Sequence, residues 1–118
     1  MKTLLWLDDI RNPLTGDWLM SYAAEWAYDK SNKVVWVKTF REFVLWITAY
    51  GLPDKICFDN DLGEVKEGYD CAKWLVEYCM DGDLDLPNYS IQSGNTVAVD
   101  NIRSLLANYT AHRQERGT

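Results

Sequence analysis

The sequence predicts an α/β fold in which a short, mostly parallel four-stranded sheet is covered by helices. Three observations carry that prediction. Three short apolar runs, 2–7, 34–37 and 55–58, and a fourth strand-like run, 89–92, alternate with longer segments of helical periodicity. Runs that are apolar throughout read as strands covered on both faces. Strands that alternate with helices imply crossover connections, and crossovers imply parallel pairing.

Each element follows from its residues. The first strand, 2–7, runs into Asp8-Asp9 and is followed by the turn signal Asn12-Pro13. Over 17–29, Trp18, Leu19, Tyr22, Ala23 and Trp26 recur at helical spacing, and Ser31-Asn32 ends the segment. Val34-Val35-Trp36-Val37 is β-branched and aromatic and reads as the second strand. Thr39 and Glu42 have the spacing of a capping box at the start of a helix that carries Phe40, Phe43, Val44, Ile47 and Tyr50 on one side. Gly51 and Pro53 stop it. The third strand, 55–58, leads straight into Asp59-Asn60-Asp61-Leu62-Gly63. A loop through Gly68 opens a helix with Cys71, Trp74, Leu75, Tyr78 and Cys79 on one face, closing near Asp81-Gly82. After the fourth strand, 89–92, Ser93-Gly94-Asn95 turns into a last helix bearing Ala98, Ile102, Leu105, Leu106 and Tyr109. From about residue 111 the tail is expected to fray or lie exposed.

Size and composition bound the rest. A chain of 118 residues suits one domain, 1–118. Hydrophobic residues make up 47% and six are Trp, enough for a core without disulfides or a structural metal. Cys57, Cys71 and Cys79 form no Cys-x-x-Cys pair, so they read as small buried hydrophobes in a reducing compartment, the cytoplasm. The first apolar run is too short for an export signal, and no stretch approaches the ~20 apolar residues of a membrane span. A net charge of −6 argues against a broad nucleic-acid-binding surface. A phosphate ligand would therefore need a local cation.

In sheets of this kind ligands bind beyond the carboxyl ends of the strands. Asp8 and Asp9 leave the first strand, Asp59 and Asp61 the third, so up to four carboxylates converge there if those strands are neighbours. Crowded carboxylates either take up protons or share a cation. Oxygen donors without a His or Cys cluster favour Mg²⁺, or Mn²⁺ in its place. The alternative is that these Asp residues form turns and helix caps. Ser93 and Asn95, at the fourth strand's exit, would bind a phosphate or cap the last helix. Arg11 would fork onto a phosphate or pair with a nearby carboxylate. His112 lies beyond the strand exits and reads as solvated; neither a Ser-His nor a Cys-His pair is visible. The Trp residues fit core positions, with Trp18 or Trp26 able to stack on a base if exposed.

Acids after the first and third strands and a hydroxyl after the fourth resemble a response-regulator receiver domain. The Lys that such receivers place after a fifth strand is missing, as is a clear fifth strand. A closer resemblance is to the cyclic-phosphate-processing receiver-like family, a divergent receiver group common in phages and bacteria. It rests on Leu7-Asp8-Asp9-Ile10-Arg11-Asn12-Pro13, Phe58-Asp59-Asn60-Asp61-Leu62-Gly63, Gly68-Tyr69-Asp70-Cys71-Ala72-Lys73-Trp74-Leu75 and Ser93-Gly94-Asn95. The resemblance implies a flavodoxin-like, receiver-like three-layer sandwich with strand order 2-1-3-4. Two departures stand out: relatives tend to carry His at the positions of Asn60 and Gln92.

The resemblance also implies a function. The first reading is a metal-dependent phosphoesterase acting on cyclic phosphate, such as the 2′,3′-cyclic phosphate of an RNA end, in RNA repair or phage–host conflict. Asp8, Asp9 and Asp59 would hold Mg²⁺ or Mn²⁺, with Asp8, Asp59 and Asp61 the catalytic acids. Asp61 would serve as general base or further ligand, or Asp59 as nucleophile, while Arg11, Ser93 and Asn95 orient the phosphate. The second reading is a non-catalytic binding module, phage-encoded and resident in the host cytoplasm, that recognises a host protein or RNA. A phosphorelay receiver is a third, disfavoured by the missing Lys.

Overall fold

The computed structural model describes residues 2–29 and 31–116. Four strands, β1 (Thr3–Leu7), β2 (Lys33–Val37), β3 (Lys55–Phe58) and β4 (Asn88–Ile91), form one parallel sheet in the order β2-β1-β3-β4. After their first residues, Thr3 and Lys55, the two central strands are apolar because both of their faces are covered. Leu5, Leu7, Ile56 and Phe58 point to one layer; Leu4, Trp6 and Cys57 point to the other. At roughly 25 cal/mol per Å² of apolar surface removed from water, this two-sided burial is the main favourable term in folding.

The larger layer is built by α3 (Phe40–Tyr50), α4 (Gly68–Gly82) and α5 (Thr96–Arg116), through Phe43, Ile47, Leu75, Ile102 and Leu106. The smaller layer, around Ala23 and Trp26, belongs to the connection between β1 and β2. Here the structure corrects the sequence reading. The single helix expected over 17–29 is two short ones, α1 (Trp18–Tyr22) and α2 (Ala24–Tyr28), broken at Ala23 with φ −154° and ψ 60°. Ala23 is buried against the sheet, and the break lets Tyr22 and Trp26 both reach the apolar layer.

Other elements differ in detail. The Thr39 hydroxyl accepts the Glu42 N–H at 3.1 Å as expected, but the Glu42 carboxylate accepts from Lys38 N, at 2.9 Å, so the box is only half closed. Tyr50, expected on the apolar side of α3, is exposed and packs on Trp46 with ring centroids 5.3 Å apart. Where the end was expected to fray or lie exposed from about residue 111, residues 111, 112, 114 and 115 are exposed but not frayed, since α5 continues to Arg116. Arg113 holds it, bonding Asp83 and Asp85 on the loop after α4 at 2.7 Å each.

The three cysteines are free and buried, as expected of small hydrophobes. Burial pushes the Cys57 and Cys79 thiols up to about 11, and that of Cys71 further in the same direction. No described helix is long and apolar enough to cross a membrane.

Candidate metal and phosphate site

The backbone ladder continues one residue past the strands. Asp8 N donates to Val37 O at 3.0 Å, Asp59 N to Leu7 O at 3.0 Å and Gln92 N to Phe58 O at 2.7 Å. Asp8, Asp59 and Gln92 therefore stand in a row across the carboxyl edge of the sheet. The buried polar or charged side chains among the described residues are these three and Asn60. All of the sheet's buried polarity is gathered at one edge.

Asp8 is the best-satisfied of them. Its Oδ1 accepts from the backbone N–H groups of Ile10 at 3.0 Å and Arg11 at 2.8 Å. Its Oδ2 accepts from Arg11 Nη1 at 3.4 Å and Gln92 Nε2 at 3.2 Å. Two indoles hold the surrounding loop, Trp36 Nε1 donating to Asp8 O at 2.7 Å and Trp6 Nε1 to Arg11 O at 2.9 Å. Arg11 also donates to the Gln92 carbonyl. The Gln92 side-chain N–H groups and its backbone carbonyl thus tie β4 to the exit of β1, a role sequence reading missed. The only signal was a polar residue at the end of the predicted fourth strand, just before Ser93.

Asp8, Asp9 and Asp59 offer carboxylate oxygens that all lie within 4.8 Å of one another. Burial, and then the Asp8 carboxylate, push the Asp59 carboxyl from 3.8 to about 7; Arg11 and the Asp61 N–H pull it back. An all-oxygen, mutually repelling donor set of this kind fits a hard divalent cation, which removes the repulsion. Asp61 lies outside that cluster. It is exposed, accepts from Gly63 N at 3.3 Å and faces the same cavity.

Helix α4 is pressed against the loop that carries Asp59. Gly68 N donates to Asn60 O at 2.8 Å, and a Cβ on Gly68 would stand 2.0 Å from the carbonyl oxygen of Asp59. Only glycine permits that approach. The Asn60 side chain accepts from Tyr69 N at 3.1 Å and donates to Glu67 at 3.4 Å.

At the third exit, Ser93 Oγ accepts from Asn95 N at 3.1 Å, and Asn95 Oδ1 accepts from Ala98 N at 3.1 Å, which caps α5. Both residues line the cavity, and a hydroxyl and an amide also carry O–H and N–H groups able to donate to a phosphate oxygen. That cavity, about 580 Å³, brings together Asp8, Asp9, Arg11, Asp59, Asp61, Ser93 and Asn95, which includes every site residue inferred from sequence. His112 is exposed on α5 and does not line it.

The family model described as "Cyclic-phosphate processing Receiver domain" matches residues 3–108. The chain belongs to that family. The cyclic-phosphate-processing receiver is also similar in fold to a solved structure in which a yeast Spc42 trimeric coiled-coil segment is fused to another protein, with TM-score 0.57 and 22% identity. That match covers 88% of this chain and 60% of the other, so the receiver spans less than two thirds of the longer chain. No curated protein matches it.

Proposed function

We propose that this receiver is a metal-dependent phosphoesterase acting on cyclic phosphate, with the 2′,3′-cyclic phosphate of an RNA end as substrate, in RNA repair or phage–host conflict. The observation that carries this reading is the convergence of Asp8, Asp9 and Asp59 within 4.8 Å, beside Arg11 in one cavity. Asp8, Asp9 and Asp59 would hold Mg²⁺ or Mn²⁺, which when bound would supply Lewis-acid polarisation of a phosphoryl oxygen and a more acidic water.

The remaining steps belong to the chain's own groups. Arg11, the Ser93 hydroxyl and the Asn95 amide donate to the non-bridging phosphate oxygens and fix the phosphorus in place. Asp61, on the open rim, accepts the proton of the attacking water as general base. In a variant of the scheme Asp59 itself attacks phosphorus, and water then cleaves the aspartyl-phosphate. In both routes one ring P–O bond breaks as the new bond to phosphorus forms, and the departing ribose oxygen takes up a proton from solvent, leaving a monoester.

The second reading is a non-catalytic module, phage-encoded and acting in host cytoplasm on a host protein or RNA. One observation favours it. The family resemblance implies imidazoles at the positions of Asn60 and Gln92; here the Asn60 amide and Gln92 Nε2 make internal hydrogen bonds, while Gln92 Oε1 is buried without a partner. The two readings are separated by incubating the protein with an RNA ending in a 2′,3′-cyclic phosphate and Mg²⁺ or Mn²⁺. The enzyme yields a monoester, and Asp59→Asn lowers the rate at least a hundredfold. No product from wild type, with unchanged behaviour in Asp59→Asn, leaves only the module.

A further inference from the structure

Trp18 is the tryptophan that the core absorbs least. Trp6 and Trp26 are buried and Trp36, Trp46 and Trp74 half-buried, whereas Trp18 is 36% exposed at the start of α1. Its place follows from the loop that leaves β1. Asp8 and Trp6 pin that loop at Arg11, the Asn12 side chain turns it through Leu14 N at 2.9 Å, and Gly16 takes φ +64° just before the helix. The Trp18 indole thereby comes to lie against the Arg11 guanidinium, whose central carbon is 5.0 Å from the ring centroid. Arg11 lines the acid cavity and bonds Asp8 at 3.4 Å. One side chain therefore joins the cavity to an exposed aromatic surface, and Ile10, 79% exposed, lines the same cavity.

A guanidinium held on an indole is pre-oriented, with its N–H groups directed outward in its own plane. A phosphate received by those groups leaves the rest of its ester on the rim, and on the side where Arg11 meets the indole that rim gives way to Trp18. A nucleobase gains a stacking partner there; the short carbon chain of a small diol does not. With a net charge of −6, long-range attraction to a polyanion is no help, so recognition falls to local contacts.

We propose that Trp18 is the base-stacking surface of a nucleoside subsite beside the cavity, making nucleoside cyclic phosphates the preferred class over cyclic phosphates of small alcohols. This rests on reading the cavity as a cyclic-phosphate site. The test compares adenosine 2′,3′-cyclic monophosphate with glycerol cyclic phosphate, both with Mg²⁺, as a ratio of affinities or, where they turn over, of kcat/KM. The ratio cancels any effect of Trp18 on Arg11, because both ligands carry the same cyclic phosphate.

Wild type is expected to favour the nucleotide by about tenfold, which Trp18→Ala brings close to one and Trp18→Phe largely keeps. A wild-type ratio near one overturns the subsite while leaving the cyclic-phosphate reading intact; so does a preference that survives in folded Trp18→Ala. If wild type engages neither ligand, the cyclic-phosphate reading fails and the subsite with it.

Discussion

Asp59 is a buried carboxyl beside a second acid, and its ionisation is opposed first by burial and then by Asp8. Its folded pKa of about 7 stands above the unfolded value of 3.8. The native state therefore keeps a proton that the unfolded chain gives up. The stability this contributes is full below pH ~4 and is lost as pH rises through about 7. In EDTA, urea unfolding should show Asp59→Asn gaining stability over wild type between pH 5 and pH 8, by on the order of 3 kcal/mol. A difference that does not grow with pH would mean the two acids are farther apart or better hydrated than the geometry implies. Saturating Mg²⁺ should reverse the order, since the ion needs the carboxylate. These acids were legible in the sequence because each directly follows a strand. Gln92 was not, because its value lies in reaching Asp8 across 84 positions of chain, at 3.2 Å.

At the level of elements, the contact between α4 and the β3 exit loop decides where Asp59 stands. A methyl group at residue 68 would fall 2.0 Å from Asp59 O and 2.7 Å from the Cα of Asn60. Backbone lies on both sides, so the loop or the helix must shift. Gly68→Ala should cost about 2–3 kcal/mol in chemical denaturation. It should also weaken Mn²⁺ binding, read by calorimetry, at least tenfold. Unchanged metal affinity in the folded variant would show that Asp59 can be positioned without α4. Local signals foretold α3 and α4 because caps and apolar spacing act within a few residues. They did not foretell the break at Ala23. Periodicity over 17–29 is satisfied equally by one helix or two, and packing on Trp6 and Cys57 makes the choice.

Across the whole molecule, the carboxylate cluster joins the exits of β1 and β3, the two central strands. An ion held there bridges segments about fifty residues apart in sequence, so binding it should stabilise the fold globally. At a free Mg²⁺ concentration of a hundred times its Kd, the gain is about 2.7 kcal/mol. A thermal melt should rise accordingly, and Asp8→Asn should abolish the rise. An equal rise in that variant would place the ion elsewhere. Sheet order and two-sided burial were readable, because the strands are apolar on both faces and the family resemblance supplies the order 2-1-3-4. The end of α5 was not. A polar helix terminus looks like a loose one until Arg113 meets Asp83 and Asp85 across some thirty positions.

The sequestered sulfurs have a practical consequence. With Cys57, Cys71 and Cys79 all enclosed and held as neutral thiols, maleimide reagents find little to attack in the native protein. A cysteine introduced on the outer side of α5, as in Ala107→Cys, would then accept a dye selectively and report on the molecule without any native residue being removed.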